Sequence, residues 1–241
     1  GVSSIAGYVG LPARTGYSAS KFAMQGFLEA VRTENLKTGL HVMIACPGFT
    51  ASNIRNTALG SYALYQNVQG GHNTALGAYA GSHITTGSDN TFIGKQAGYG
   101  GITSAPFSTG TNNTVVGREA FKSFTTATNN TIIGDGAGDA ITTGPGNTAV
   151  GKNALGAVNT GDYNVAMGYN AGAGITSGAT NVAIGYNALA ADSLSSGTTA
   201  VGQSAASLQN LGAVTSYNTA IGSSAQYKNS NTGIHMTTVG A

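Results

Sequence analysis

The sequence is poor in charged residues, proline, cysteine and tryptophan. Its 241 residues include 10 Lys and Arg, 8 Asp and Glu, 4 Pro, 1 Cys and no Trp, and the formal net charge is +2. So few basic residues provide no electrostatic surface for nucleic acid or an anionic membrane, which are bound by clustered Lys and Arg. The single cysteine excludes an internal disulfide framework and a zinc site built on several cysteines.

Long apolar runs are also missing. No stretch approaches the roughly 18 apolar residues that a membrane-spanning helix needs, so no transmembrane helix is predicted. The chain starts at Gly1 without a basic start and apolar signal region, and it stops at Ala241 just inside a new repeat. We therefore expect a processed chain or a fragment.

Glycine, in contrast, is abundant, and its distribution divides the chain near residue 56. Of the 38 glycines, 31 lie in residues 56–241. Residues 1–55 hold the only cysteine, 5 basic residues and 2 acidic residues, whereas residues 56–241 hold 5 basic and 6 acidic residues. The sequence therefore predicts two domains, residues 1–55 and residues 56–241.

A motif N-T-x-(V/I/L/M)-G, with small variations, recurs throughout residues 56–241. The spacings between successive motif glycines are 17, 17, 23, 17, 17, 17, 17, 17, 20 and 18, and an Ala stands three places after the glycine in the first ten copies. A fixed period of this length is the signature of a repeat architecture. The motif glycines are Gly60, Gly77, Gly94, Gly117, Gly134, Gly151, Gly168, Gly185, Gly202, Gly222 and Gly240.

Each repeat is typical of one coil of a parallel β-solenoid. The motif predicts a short strand that ends in a glycine bend, and the Ala leads into an A-L form or an A-G form. Turn residues then lead back to the next strand. We predict a mainly β fold of ten or eleven coils with about 17 residues each. A disordered linker would lack the regular apolar position before each glycine.

The interior predicted for this solenoid is narrow. We expect each coil to direct inward the aliphatic residue before the glycine, the Ala after it and one Leu or Ile. Such a thin core favours burial of further surface against copies of the same chain, and three rods wrapped together are the most economical arrangement. A homo-oligomer, and specifically a trimer, is the predicted assembly.

The repeats resemble the NTAIG-type repeats of phage tail fibres and bacterial surface proteins and, more distantly, the S-V-A-I-G coils of trimeric autotransporter adhesin heads. The resemblance covers about three quarters of the chain, in residues 56–241. It implies a trimeric, left-handed β-roll outside the cell, at the cell surface or on a virion, which serves as a stalk or binds a receptor. The coils here are longer than those of the adhesin heads, which leaves handedness and trimer geometry open.

Residues 1–55 carry a different pattern. Tyr17 and Lys21 are in an i, i+4 relation and share one face of a predicted helix that continues to about Lys37. An ammonium group beside a phenol lowers the phenol pKa, which suits Tyr17 to proton transfer near neutral pH. Ser4 lies upstream of Tyr17, and an apolar strand downstream ends at Pro47 and Gly48. Together these features are a more specific indication of a catalytic tyrosine than the pattern Tyr-x-x-x-Lys alone.

This segment resembles the catalytic portion of a short-chain dehydrogenase/reductase from Val2 to about Leu59, which implies a short α/β fragment of an incomplete Rossmann-type domain in a cytoplasmic enzyme. In that resemblance Ser4 holds the substrate oxygen, Tyr17 is the acid/base, and Lys21 lowers the Tyr17 pKa and binds the nicotinamide ribose. The positions implied to bind NAD or NADP are Tyr17, Lys21, Pro47, Gly48 and Thr50.

We nevertheless expect no dehydrogenase activity and no bound cofactor. The family binds its nucleotide through an N-terminal βαβ unit with a glycine-rich turn, and only the short stretch from Gly1 to Gly16 precedes Tyr17. Two later stretches, at residues 94–100 and 168–174, match G-x-x-x-G-x-G but are in phase with the repeat. One helix and one strand also bury too little surface for independent stability.

The junction suggests how the two parts were joined. The sequence N-T-A-L-G at residues 56–60 recurs at residues 73–77 and also continues the dehydrogenase-like pattern. A stretch shared by two families is where recombination, or assembly of mixed reads, would join unrelated genes. The chain is therefore interpreted as a chimera of either origin.

Other candidate sites have weaker patterns. Asp135 and Asp139 lie in a G-D-G-A-G-D stretch that is similar to calcium-binding turns, but a solvated turn is favoured because the pattern occurs once; no metal is predicted. The histidines at positions 72, 83 and 235 have no nearby carboxylate in sequence. Recurrent tyrosines indicate corner packing or, on one face, a glycan surface: Tyr65, Tyr79, Tyr99, Tyr163, Tyr169 and Tyr186.

Two functions follow from these patterns. The first is a structural or adhesive extracellular fibre or stalk segment, with a host-surface or glycan receptor as partner, fused to a non-functional dehydrogenase fragment. The alternative is an NAD(P)-dependent short-chain dehydrogenase/reductase that uses Ser4, Tyr17 and Lys21.

Overall fold

The computed structural model describes residues 56–101, 108–209, 211, 213–227 and 235–240. Eleven parallel strands form one sheet in which the spatial order equals the chain order, and this part of the chain contains no helix. None of the described residues therefore belongs to a helix long and apolar enough to cross a bilayer. The strands are β1 (Asn56–Leu59), β2 (Asn73–Leu76), β3 (Thr91–Ile93), β4 (Thr114–Val116), β5 (Thr131–Ile133), β6 (Thr148–Val150), β7 (Val165–Met167), β8 (Val182–Ile184), β9 (Thr199–Val201), β10 (Thr219–Ile221) and β11 (Thr237–Val239).

The register between strands superimposes equivalent positions of the repeat. Leu59 pairs with Leu76 across the first 17-residue spacing, and Ile93 pairs with Val116 across the 23-residue spacing. Every position of the repeat therefore forms a column along the solenoid. Ten steps at the usual interstrand distance of about 4.8 Å give these columns a length of about 48 Å. The prediction of a parallel β-solenoid with the period of the motif is confirmed.

The glycine that follows each strand is required by its conformation and, at every position except Gly240, also by space. All eleven have φ between +114° and +144°, a range that other residues avoid. A Cβ on Gly151, for example, would lie 2.4 Å from the carbonyl oxygen of Gly168 in the next coil. The predicted bends are confirmed at these positions.

The prediction that the aliphatic residue before the glycine faces the core is wrong. From β2 to β10 the buried residue is instead the one two places before the glycine, as for Phe92 and Ile132. The aliphatic residue directly before the glycine is exposed or half-buried; Leu76 is 45% exposed and Met167 is 44% exposed. Side chains alternate between the two faces of a strand. The buried Asn that precedes or begins most strands therefore determines which of the following side chains are directed inward. The residue two places after the Asn is directed inward like the Asn, and the aliphatic residue three places after the Asn is directed outward.

The interior Asn side chains form a hydrogen-bonded ladder through eight coils. In each step the Asn Oδ1 accepts from the backbone N–H of the next Asn at 2.8–3.1 Å. Many of the Asn Nδ2 groups also donate to a backbone carbonyl of the next coil, as from Asn147 to Gly161 at 2.9 Å. The Asn ladder consists of Asn56, Asn73, Asn90, Asn113, Asn130, Asn147, Asn164 and Asn181.

The A-L and A-G forms of the repeat are complementary in shape. The residue after the buried Ala is large in some coils, as at Leu155, and Gly in others, as at Gly98 and Gly172. A Cβ on Gly172 would lie 2.8 Å from Leu155 Cδ2, and one on Gly98 would lie 2.0 Å from the Phe92 ring. Side chains of neighbouring positions therefore fill the space that each glycine leaves open.

We predict that Gly98→Ala destabilises the protein by about 3 kcal/mol, because an alanine there combines positive φ with overpacking against Phe92. Gly136→Ala is the matched control. Its φ of +63° is close to the +53° of Gly98, but the nearest atom to its added Cβ is Asn153 Oδ1 at 3.0 Å. The control should cost only about 1 kcal/mol, the penalty of the backbone conformation. Urea unfolding of the full chain measures the difference, and equal losses would contradict this account of the core.

We also predict that Asn147→Ala costs about 3 kcal/mol, because the substitution removes partners from the Asn164 backbone N–H and the Gly161 carbonyl within the buried ladder. The exposed amide of Gln203 is the control, and Gln203→Ala should change the free energy of unfolding by at most about 0.5 kcal/mol. A similar urea midpoint for both variants would show that the ladder contributes little.

Candidate functional site

The outward side of the sheet is a continuous uncharged surface, which we call the sheet face. It consists of two columns that run across β1–β11, one of Thr or Val and one of Leu, Ile, Val or Met. The first column is Thr57, Thr74, Thr91, Thr114, Thr131, Thr148, Val165, Val182, Thr199, Thr219 and Thr237. The second is Leu59, Leu76, Ile93, Val116, Ile133, Val150, Met167, Ile184, Val201, Ile221 and Val239.

The aliphatic column of the sheet face is accessible along its whole length. Ile133, Ile184 and Ile221 are among the exposed large apolar side chains, and the remaining members are exposed or half-buried. Because neighbouring members are in register, these side chains form one apolar ridge rather than separate spots. Sequence reasoning placed this column in the core and so missed the surface; the inward parity of the preceding Asn was the signal that could have revealed it.

Charged side chains lie beside the sheet face in the middle coils, at the corner that follows the strand, as at Arg118, Asp135 and Lys152. Arg118 contacts Asp135 of the next coil at 2.8 Å, and Lys152 lies 3.8 Å from the same carboxylate. The hydrogen bond and charge of Asp135 raise the pKa of the Arg118 guanidinium. Asp135 is thus part of an ion-pair column at the surface. The described residues contain no group of three His, Cys, Asp or Glu side chains that could hold a metal ion.

One histidine has a partner that the sequence did not reveal. His72 Nδ1 lies 3.2 Å from the Asp89 carboxylate, and both side chains are exposed. The two residues occupy the same position in successive coils, 17 residues apart in sequence, so the stacking of these coils brings them together. The histidines lack a nearby carboxylate in sequence, and the fold supplies one for His72.

Several corner tyrosines pack on one another. Tyr62 and Tyr79 are stacked at 5.0 Å with an interplanar angle of 16°, and Tyr169 and Tyr186 are stacked at 5.5 Å and 12°. A ring face that is covered by a neighbouring ring is not available to a sugar. The geometry of these two pairs favours the packing interpretation over the glycan interpretation.

The residues assigned to dehydrogenase chemistry lie outside the described residues, and their roles remain predictions: Ser4, Tyr17, Lys21, Pro47, Gly48 and Thr50. The two later glycine stretches are described, and both begin at a motif bend, at Gly94 and Gly168. Neither is followed by a helix within the described residues, so neither presents a helix N-terminus to a pyrophosphate. Their assignment to the repeat is confirmed.

Comparison with known proteins bears on the N-terminal part of the chain. Residues 1–61 match the family model described as short chain dehydrogenase. Dehydrogenase/reductase SDR family member 7B of Danio rerio is 38% identical over 58 residues, which are 24% of this chain and 19% of that protein. The uncharacterized oxidoreductase YusZ of Bacillus subtilis is 39% identical over 61 residues, 25% of this chain and 22% of that protein.

The matched segment is short on both sides of the comparison. The chain spans about a fifth of the length of the curated relatives it matches. No solved structure matches the chain. The family match ends at residue 61, whereas β1 begins at Asn56, so the two patterns overlap where the solenoid starts. Residues 1–61 are therefore similar to a segment of the short-chain dehydrogenases, and the β-solenoid follows that segment.

Proposed function

We propose that the chain is a structural or adhesive fibre or stalk segment, located outside the cell or on a virion, whose solenoid assembles with copies of itself through the sheet face. The observation that carries this proposal is the uncharged sheet face, whose aliphatic column is continuous over eleven strands. Contiguous apolar patches larger than a few hundred Å² are rare on monomeric soluble proteins and mark interaction surfaces.

A second copy of the chain fits this surface in chemistry and in period. The ridge repeats at the interstrand distance of about 4.8 Å over about 48 Å, and another solenoid of the same sequence repeats identically. Sheets pack face to face through such apolar columns at a distance of about 10 Å. Self-association would therefore remove the whole ridge from water without a change in the coils.

A closed trimer is the arrangement that we favour. Three copies around a threefold axis bury the sheet face of every copy, and the resemblance of the repeats to tail-fibre and adhesin repeats points to the same number. The narrow interior adds to this reasoning, because much of the strand core is Ala, as at Ala149 and Ala166. Burial between copies would supply apolar surface that a single coil lacks.

We predict that the double variant Ile133→Glu with Met167→Glu prevents this assembly. Two carboxylates per copy near the middle of the ridge would have to be buried without partners. Light scattering should give about three times 23.9 kDa for the native chain and 23.9 kDa for the variant. Thr143→Glu, at an exposed position away from the sheet face, is the control and should leave the trimer intact.

A native chain that scatters as a folded 23.9 kDa monomer at micromolar concentration would overturn the proposal. Thermal unfolding of each variant distinguishes loss of assembly from loss of folding. Because Ile133 and Met167 are 38% and 44% exposed, the double variant should keep the β-type circular dichroism spectrum of the native chain.

The second candidate function is NAD(P)-dependent reduction of a carbonyl group, and the family match of residues 1–61 favours it. We propose that this chain lacks that activity, because the described residues provide no nucleotide-binding strand–turn–helix unit to complement Tyr17 and Lys21. Purified protein should not oxidise NADH or NADPH with a panel of aldehydes and ketones. Turnover that disappears in Tyr17→Phe would establish the oxidoreductase instead.

A further inference from the structure

The solenoid departs most strongly from its period between Gly94 and Gly117, where a spacing of 23 replaces the usual 17. The intercoil hydrogen bonds show where the extra residues enter. Gly101 N–H still donates to Phe124 O, and the backbone hydrogen bonds between coils resume at Ser108, whose N–H donates to His83 O. The additional residues therefore enter the sequence between Gly101 and Ser108.

A cleft opens beside this interruption. Its volume is about 320 Å³, at the lower end of the usual range of ligand pockets of about 300–1,000 Å³. It extends over three coils of the solenoid, and none of its named lining residues belongs to the sheet face. Its lining includes Tyr99, Gly101, Lys122, Ser123, Thr125 and Thr142.

Tyr99 lines one side of the cleft. The His83 ring meets the Tyr99 ring at 70° with a centroid distance of 4.4 Å, and the Tyr79 ring meets it at 64° and 6.2 Å. These contacts fix the ring orientation without the flat stacking of the other tyrosine pairs. A Cβ on Gly101 would lie 2.8 Å from Thr125 Cγ2, so a larger residue there would crowd this lining side chain.

The charges near the cleft disfavour an anionic ligand. The Lys122 ammonium lies 3.8 Å from the Glu119 carboxylate. Asp139 is a second neighbouring carboxyl group; burial raises its pKa, whereas the charge of Lys122 acts to lower it. The positive charge of Lys122 is thus already balanced by acidic groups. Lys122 can still donate hydrogen bonds, since an ammonium has three N–H groups.

The remaining polar groups are hydroxyls suited to a neutral ligand. Thr125 Oγ1 donates to the Thr142 carbonyl at 3.0 Å, which leaves its lone pairs able to accept a hydrogen bond. The Ser123 side chain is exposed and can both donate and accept. One aromatic wall together with a few hydroxyl and ammonium donors matches a molecule with one apolar face and several hydroxyl groups.

We infer that this cleft binds a neutral saccharide, with a pyranose ring against Tyr99 and its hydroxyls bonded to Lys122, Ser123 and Thr125. The inference deepens the proposed adhesive function, on which it rests, by assigning the recognition site and the class of receptor. The stacked corner tyrosines, whose faces cover one another, take no part in this site.

Binding of the full chain to an array of neutral and sialylated glycans tests the inference, followed by titration with the soluble form of the best neutral glycan. Tyr99→Ala should weaken binding by about tenfold or more, because the stacking surface is lost. Tyr99→Phe should stay within about twofold, because the ring remains. Tyr163→Ala removes an exposed tyrosine that lies beside Gly146, away from the cleft, and should bind like the native chain.

Three results would overturn the inference: no neutral glycan bound by the folded chain, binding that is insensitive to Tyr99→Ala, or binding restricted to sialylated glycans. Circular dichroism melts verify that each variant is folded. Light scattering of the same samples separates the two proposals. A trimer without saccharide binding removes only the cleft assignment, and a monomer with Tyr99-dependent binding removes only the self-association.

Discussion

The ladder of buried Asn side chains is the constraint on which the solenoid depends. Each amide oxygen accepts from the backbone of the next coil, and most of the Nδ2 groups bond to that coil as well. A buried amide without partners is costly, so every coil must return an Asn, or a substitute, to the same place. The longest repeat obeys this rule, since Asn113 bonds to Asn90 Oδ1 at 2.9 Å. A longer repeat therefore has to restore its Asn to the ladder before the next strand begins.

Much of the fold could be predicted from the sequence because this constraint is periodic. The glycine spacing located the strands and bends, and the parallel order follows from coils that stack in chain order. The orientation of the aliphatic column was predicted wrongly, since a regular Val, Ile, Leu or Met position is typical of a core. In such short strands the parity is decided by a neighbour, here the Asn, whose hydrogen bonds outweigh the burial of one aliphatic side chain.

Features that depend on contacts between coils could not be predicted from single repeats. The fit of Gly172 against Leu155 and the His72–Asp89 pair join residues of neighbouring coils that are apart in sequence. The core also changes character near its C-terminal coils, where Asp192 and Gln209 are buried and Gln209 Nε2 donates to Asp192 at 2.9 Å. The cleft arises in the same way, because Tyr99, Lys122 and Thr142 belong to three coils. The dehydrogenase-like residues lie outside the described residues and allow no such comparison.

The columns outside the core show which surfaces carry a further constraint. The corner column that follows the motif glycine changes class freely, from Arg118 to Asp135 to Tyr169. The aliphatic column of the sheet face lies only two positions away and is equally free of the Asn ladder, yet it stays apolar in all eleven coils. A charged side chain in the aliphatic column would disturb neither the bends nor the interior, and contact with water would favour it over an apolar side chain. The self-association proposed above would account for a uniform apolar column beside a variable one, because a copy of the solenoid presents a surface of the same period.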